Sequence, residues 1–210
     1  EIEVGDWSSD VCSSDLKAFG FLSFGHYGHG RGPGDPDARQ ALQDAVEIAV
    51  GADEIGVNGA YWRVHHFARQ AASPVPLLAA AGARTERIEV GTGVIDMRYE
   101  NPLHLAEEIA ALDLLTDRRI AIGISRGSPE QARRGWEAFG YTGGSDERGT
   151  DVARAHTAQF LDAVRGVPQA DLDTSNGMAP GASARLRIEP HSPGVDREVE
   201  IGRASCRERV

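Results

Sequence analysis

The sequence predicts an α/β fold, the N-terminal half of a (β/α)8 TIM barrel with about four βα units and a long loop excursion at its C-terminal end. Short apolar runs alternate with helical patterns at a spacing of roughly 30 residues, which is typical of βαβ units in a parallel sheet. A doubly wound sheet shows the same alternation. The glycine-rich stretch 25–32, after the first run, does not open a helix as G-x-G-x-x-G, so the pattern favours the barrel.

Four apolar runs are the predicted strands. Each run is short and is bounded by turn residues, as strands buried in a parallel sheet are. In chain order the runs cover residues 18–24, 59–64, 87–95 and 119–124.

The predicted helix starts share one signature, a side chain that can cap the helix followed by proline. The oxygen of such a side chain accepts an unpaired backbone N–H, and proline at the first helical position has no N–H to leave unpaired. The four junctions are Asp35-Pro36, Ser73-Pro74, Asn101-Pro102 and Ser128-Pro129.

Apolar residues at helical spacing support these helices. We expect a fourth helix to continue through residues 133–140 and a further helix over 151–164. Residues 167–199 are rich in Pro, Gly, Ser and Asp, and we interpret them as an excursion that covers an active site, with a short strand at 185–189. The helical positions are Ala41, Ala45, Ile48 and Ala49 in the first helix and Leu103, Ala106, Ile109, Ala110 and Leu114 in the third.

Composition excludes some classes of function. The 210 residues are 40% hydrophobic and carry a formal net charge of -10, which argues against nucleic acid as a partner. No apolar run is long enough to span a membrane, and no secretory signal is recognisable. The sequence therefore predicts a cytoplasmic protein.

The two ends resemble translated sequencing-library adapters. Residues 6–16 read DWSSDVCSSDL and residues 200–210 read EIGRASCRERV. We therefore expect residues 1–16 and 200–210 to belong to no fold, and the natural domain to cover 17–199. Both cysteines, Cys12 and Cys206, then fall outside the domain, which gives no basis for a disulfide.

Candidate functional residues follow the predicted strands, because the active site of a (β/α)8 barrel lies at the C-terminal ends of its strands. His65 and His66 follow the second run. Asp96, Met97 and Arg98 follow the third, and Ser125, Arg126 and Gly127 follow the fourth.

Two of these residues suggest chemistry. Arg126 stands next to glycine and a predicted helix start, a combination suited to a phosphate group, although a surface arginine paired with Glu130 is an equal alternative. His65 and His66 alternate sides of an extended chain, so only one can face the mouth of the barrel, and a lone histidine there is more often structural than catalytic. No spacing suits a zinc site.

Three blocks resemble bacterial luciferases and the wider luciferase-like flavin monooxygenases. They are RVHHF at residues 63–67, GTGVI at 91–95 running into NPLHLAEE at 101–108, and GISRG at 123–127. The resemblance covers residues 59–141.

The resemblance implies roles for five residues. His65 matches a histidine that assists proton transfer near the flavin, and Arg126 matches an arginine on the FMN phosphate. Gly93-Val94 matches a non-proline cis peptide that supports the flavin ring. Ser125 replaces a cysteine close to the reactive carbon of the ring, and Val64 replaces an acidic residue before the histidine pair.

The implied function is that of a flavin-dependent monooxygenase, which uses reduced FMN and oxygen on a small organic substrate. A separate reductase would deliver the flavin, and the full-length enzyme would be a homodimer. The alternatives are a deazaflavin-dependent dehydrogenase and a non-catalytic flavin-binding barrel. Because four of eight strands are expected here, we expect the chain as given to be inactive alone.

Overall fold

A computed structural model describes residues 18–28, 34–127, 131–142, 144–173 and 185–201 of the chain. Within these residues, five strands form one parallel sheet in the order β1-β2-β3-β4-β7, and two short strands, β5 and β6, form a separate antiparallel pair. The strands are β1 (Gly20–Ser23), β2 (Gly59–Trp62), β3 (Glu89–Asp96), β4 (Ile120–Ser125), β5 (Ala170–Asp171), β6 (Arg185–Leu186) and β7 (Val199–Ile201).

The first four sheet strands confirm the four predicted runs, and they neighbour one another in chain order. Each connection between them carries one helix, as parallel neighbours require. The predicted half barrel of βα units is therefore confirmed. The helices are α1 (Ala38–Glu54), α2 (Pro74–Arg84), α3 (Pro102–Leu115) and, beyond β4, α4 (Thr150–Val164).

The helix starts agree with the predictions to different degrees. Asn101 caps α3 as expected, since its Oδ1 accepts the backbone N–H groups of Leu103 and His104 at 3.0 and 3.1 Å. Ser73 precedes α2 but makes no side-chain cap bond. The prediction of Asp35 as a cap is wrong, because α1 begins later and Asp37 is its capping residue. The Ser128-Pro129 junction lies outside the described residues.

The two faces of the sheet differ in composition. On one face, β-branched and aromatic side chains pack against the helices and are fully buried, which explains the apolar runs of the sequence. The opposite, inner face carries glycine and alanine at many of the alternate positions, together with the larger side chains of Leu22 and Tyr61. The buried side chains include Trp62, Val90, Ile95, Ile120, Ile122 and Ile124.

Three expectations need correction. Residues 133–140 do not continue an α-helix; Gly135–Phe139 is a 3-10 turn that starts after Arg134 in a left-handed conformation. The strand β7 includes residues 200 and 201, so the sheet crosses the boundary predicted at residue 199 and β4 is not an edge strand. Ile48 and Leu114 are about half exposed despite their helical spacing. Residues 1–17 and 202–210 lie outside the described residues.

The two predictions for the residues after 150 have different outcomes. The expected helix over 151–164 is confirmed as α4. In the 167–199 excursion, the expected strand at 185–189 shrinks to the two residues of β6, which pairs with β5. Residues 174–184 lie outside the described part of the chain, so the role of this excursion as a cover for an active site remains a prediction.

Candidate functional site

The ring of Tyr61 lies on the inner face of the sheet near the N-terminal ends of the strands, and we call it the tyrosine floor. The Tyr61 hydroxyl donates to Glu89 Oε1 at 2.5 Å. Its ring lies across glycines of three strands, because a Cβ atom at Gly20, Gly59 or Gly91 would come within 2.9 Å of a ring atom. The glycines thus make room for the ring, and the floor separates the base of the sheet from the strand ends above it.

Above this floor the inner face is a narrow apolar wall. A Cβ atom added to Gly93 would lie 2.8 Å from Leu22 Cδ1, and one added to Gly123 would lie 2.6 Å from Val94 Cγ1. Leu22 is 48% exposed, so the wall faces open space. The Gly93-Val94 peptide bond is cis, as the resemblance predicted. The pairing of β3 with β4 shifts register between Thr92 and Ile95.

His65 lies just beyond β2 and is held by a neighbour on the same side of the chain. The Arg63 guanidinium donates from Nε to His65 Nε2 at 2.7 Å. Because a guanidinium only donates, Nε2 must be the accepting nitrogen and the neutral ring carries its proton on Nδ1. Burial and the charge of Arg63 lower the pKa of His65, and the Asp96 carboxylate only partly offsets them. His65 is therefore neutral at neutral pH.

The β4 loop, residues 125–127, carries the predicted phosphate ligand. Ser125 ends β4, and its Oγ accepts the backbone N–H of Gly127 at 3.0 Å. Arg126 lies between them and is exposed. The helix start expected at residues 128–129 and Glu130, the alternative partner of Arg126, lie outside the described residues.

A buried ion pair lies next to this loop, at the end of β3. Arg98 Nε donates to both carboxylate oxygens of Asp96, at 2.9 and 3.0 Å, and Arg98 Nη2 contacts Asp96 Oδ2. The two side chains are 7% and 4% exposed. Sequence reasoning named both residues as strand-end residues and gave them no role. The available signal was an aspartate followed two residues later by an arginine at the end of a strand; residues 97–99 form a turn, and the Arg98 N–H donates to Asp96 Oδ1 at 3.0 Å.

His66 points away from the mouth into an aromatic cluster. Its ring stacks on Tyr99 with centroids 4.2 Å apart and meets the edge of Phe139 at 5.3 Å. His66 Nε2 is buried without a hydrogen-bond partner in the described structure, 3.8 Å from Glu100 Oε1. Burial lowers the pKa of His66, even though Asp96 favours its charged form. Of the histidine pair, His66 is therefore the one that lies in the aromatic cluster.

Glu100 is the acid of this cluster. Burial, together with the nearby carboxylates of Glu108 and Asp96, raises the pKa of Glu100 to about 7. A carboxyl group that titrates near neutral pH beside a strand-end site is typical of functional regions, although structural sites also perturb pKa values. The sequence gave no signal for it, because the largest cause of the shift is burial, which the sequence alone does not show.

A cavity opens between the loops that follow β1 and β2. Its volume is about 550 Å³, within the range of small-molecule sites. Arg69 supplies a guanidinium to its wall, and the buried Oε1 of Gln70 has no hydrogen-bond partner in the described part of the chain. The lining residues that the two strand-end loops contribute include His26, Tyr27, Phe67, Arg69 and Gln70.

Two other classes of site are absent from the described residues. No group of three or more His, Cys, Asp or Glu side chains there could hold a metal ion. No described helix is both long enough and apolar enough to cross a membrane.

These features lie at the C-terminal ends of parallel strands joined by helices, and comparison with known proteins assigns the family. A family model described as luciferase-like monooxygenase matches residues 19–195. The chain therefore belongs to the luciferase-like monooxygenase family, as the sequence motifs predicted.

Similar curated proteins include monooxygenases and F420-dependent dehydrogenases. The chain is 32% identical over 111 residues to limonene 1,2-monooxygenase of Rhodococcus erythropolis, which is 52% of this chain and 29% of that protein. It is 30% identical over 93 residues, 40% of this chain and 27% of that protein, to an F420-dependent glucose-6-phosphate dehydrogenase of Amycolatopsis mediterranei. The chain thus matches less than a third of the length of these relatives.

Solved structures confirm the fold. A monooxygenase from Streptomyces bottropensis superposes with a TM-score of 0.65 at 23% identity, over 89% of this chain and 54% of that one. The oxygenating constituent of 3,6-diketocamphane monooxygenase from Pseudomonas putida, in complex with FMN, gives 0.60 at 20% identity, over 75% and 42%. The chain spans about half the length of these structures.

The residues present fit a flavin mononucleotide. The apolar wall of Leu22 and Val94 over backbone glycines offers a flat surface to an aromatic ring. Arg126 is an exposed guanidinium at the end of the adjacent strand and offers a charged fork to a phosphate. His65 lies just beyond the end of β2, which pairs with β1 and β3.

Proposed function

We propose that this chain forms the flavin-binding half of a luciferase-like flavin-dependent monooxygenase. In this proposal Arg126 holds the FMN phosphate, Gly93 and Val94 support the ring, and Ser125 lies close to it. His65 acts in proton transfer, and a small organic substrate occupies the cavity between the β1 and β2 loops.

The observation that carries the proposal is the exposed Arg126 at the end of a strand whose neighbours form the apolar wall. A site that offers an apolar surface and one fixed cation suits a ligand with an aromatic ring and a phosphate.

His65 would hold the transferable proton at a defined atom. Arg63 occupies Nε2, which leaves Nδ1–H as the donor and keeps the ring neutral. Displacement of Arg63 from Nε2 would let the ring accept a proton there. General acid–base catalysis of this kind contributes about 10²–10⁴-fold in rate.

Reduced flavin, when bound, supplies two electrons and two protons, so that one oxygen atom of O2 enters the substrate and the other leaves as water. A separate reductase would regenerate the reduced flavin. We also propose that the full-length enzyme is a homodimer.

A binding titration tests the proposal. FMN at trace concentration is mixed with increasing amounts of the chain, and fluorescence anisotropy reports the bound fraction. Arg126→Asn should weaken FMN binding by about 1.5–3 kcal/mol, the range for a hydrogen bond to a charged group. The matched control is Arg118→Asn, which removes an exposed arginine at the opposite ends of the strands and should leave FMN affinity unchanged.

The titration has two contrary outcomes. Unchanged FMN affinity in the Arg126 variant would refute the phosphate assignment. Tighter binding of coenzyme F420 than of FMN would favour the deazaflavin-dependent alternative, which the F420-dependent relatives support.

A further inference from the structure

The Asp96–Arg98 ion pair is in direct contact with the β4 loop. Gly127 has a φ angle of 81°, and a Cβ atom there would overlap both Arg98 Nη2 and Asp96 Oδ2. The backbone of the loop therefore lies directly on the ion pair, and only glycine fits.

The same pair ties the loop to β3. Asp96 is the register partner of Ser125, and the Met97 N–H donates to the Ser125 carbonyl at 3.0 Å. Ser125 Oγ in turn accepts the Gly127 N–H. The residues on both sides of Arg126 are thus fixed, one by strand pairing and the other by contact with the ion pair.

Arg98 also fixes the pair to the segments on its far side. Its Nη1 donates to the Arg148 carbonyl at 3.2 Å, and its guanidinium carbon lies 4.7 Å from the centroid of the Trp136 ring. Gly149, which precedes α4, packs against the side chain, with an ideal Cβ atom 3.1 Å from Arg98 Cδ. A single buried guanidinium therefore joins the end of β3, the β4 loop, the 3-10 turn and the start of α4.

We propose that Asp96 and Arg98 are positioning residues for the cofactor phosphate. They hold the β4 loop so that Arg126 meets the phosphate of FMN, and they thereby set the preference for FMN over riboflavin. This inference rests on the proposed function, since it requires a phosphate at Arg126. A binding group that is held in place before the ligand arrives loses less entropy on binding, which is the advantage that the ion pair confers.

A purely structural role makes a different prediction. Buried ion pairs are weak evidence for stability in general, because desolvation can cost as much as the charges gain. If the pair only supported folding, its loss would weaken FMN and riboflavin binding alike. A positioning role weakens FMN binding and leaves riboflavin binding as it was.

The experiment measures the ratio of FMN to riboflavin affinity, with each flavin at trace concentration and the chain in excess. Arg98→Lys keeps the charge but removes the planar fork that spans four segments. We expect the ratio to fall at least about threefold, a typical coupling between residues in contact. The double variant Asp96→Leu with Arg98→Met leaves no unpaired buried charge, and it should show the same fall.

Arg119→Lys is the matched control. Arg119 is also a multiply bonded arginine, but it lies at the opposite ends of the same strands. Its substitution should lower the melting temperature and leave the affinity ratio unchanged. In the Arg98→Lys background, Arg126→Asn should reduce the ratio less than it does in the unmodified chain.

The outcomes separate the two claims. If Arg126→Asn leaves the ratio unchanged in the unmodified chain, the proposed phosphate site is wrong and this inference falls with it. If Arg126→Asn lowers the ratio while the folded Arg98→Lys chain keeps it, or loses affinity for both flavins equally, only the positioning role is overturned.

Discussion

The two ends of the sheet differ in how many of their buried polar groups are hydrogen-bonded. At the N-terminal ends of the strands, Arg119 donates to the carbonyls of Gly82, Thr85 and Ile88, and the carboxylate of Asp53 accepts three backbone N–H groups. At the C-terminal ends, buried His66 Nε2, Gln70 Oε1 and Trp136 Nε1 have no partner in the described residues.

This difference in hydrogen bonding indicates that one end of the sheet serves stability and the other serves function. A polar group that is already bonded contributes to folding, whereas one left unbonded in a buried place costs free energy unless something else meets it. The N-terminal ends therefore hold the structure together. The C-terminal ends carry both the bonded Asp96–Arg98 pair and these unbonded atoms, and they are the ends at which other barrels of this kind bind ligands.

The largest effect on stability is expected from Arg119. Arg119→Met would leave three carbonyl oxygens and the Thr85 hydroxyl without their donor. We expect the free energy of unfolding to fall by about 2–4 kcal/mol, as measured by urea denaturation. A loss below half a kcal/mol would show that these bonds are replaced by water and that the contrast between the two ends is overstated.

Glu100, at the C-terminal ends, should make the protein less stable at higher pH. Its pKa in the folded state is about 7, above the ordinary glutamate value, so the folded state binds the proton more tightly than the unfolded state. Stability is then highest below the ordinary value and falls as the pH rises towards 7. Glu100→Gln should raise stability at pH 8 by something on the order of 1–3 kcal/mol.

The comparison of unfolding free energies at pH 5 and pH 8 checks this expectation. Only the pH 8 value should respond strongly to Glu100→Gln. An equal change at both pH values would mean that the substitution acts through packing and that the carboxyl group is not unusually basic.

Asp53, at the opposite ends, should have the reverse pH dependence. Burial raises the pKa of Asp53, but the N–H groups of Glu86, Ile88 and Arg87 outweigh it and the pKa is lowered overall. Its contribution is therefore present above the ordinary aspartate pKa of about 3.9 and is lost as the pH falls below it. Asp53→Asn should cost about 1–2 kcal/mol at pH 7 and less at pH 3.

The smallest effect is expected on the pKa of His65. Arg63→Met removes both the hydrogen bond to neutral His65 and a nearby positive charge. The pKa of His65 should rise but stay below its usual value, since burial is the largest cause of its lowering and remains. Histidine ring signals in an NMR pH titration report this directly, and an unchanged or lowered pKa would contradict the arrangement at Nε2.

The sequence predicted the fold better than it predicted the site. The apolar runs of β1 to β4 and the Asn101 cap depend on local patterns, and the structure confirms them. The start of α1 was missed because two aspartates, Asp35 and Asp37, compete for one capping position. The 3-10 turn at Gly135–Phe139 was missed because its helical residues follow the left-handed Arg134.

The candidate site residues were named where a family motif exists, whereas features that packing creates were missed. His65, Gly93, Val94, Ser125 and Arg126 came from strand-end position and resemblance, and the structure places them at the C-terminal ends of β2 to β4. The raised pKa of Glu100 is caused mainly by burial, with smaller contributions from Glu108 and Asp96. A single sequence shows neither that burial nor the reach of Arg98 to Arg148.

The most direct test of the contrast between the two ends is a map of where FMN binds. Backbone amide NMR signals of the chain are followed during addition of FMN. The account predicts that the signals of Gly93, Val94, Ser125 and Gly127 shift and that those of Ile88 and Arg119 stay in place. Shifts centred on Ile88 and Arg119, or no shift at the C-terminal ends of the strands, would contradict it.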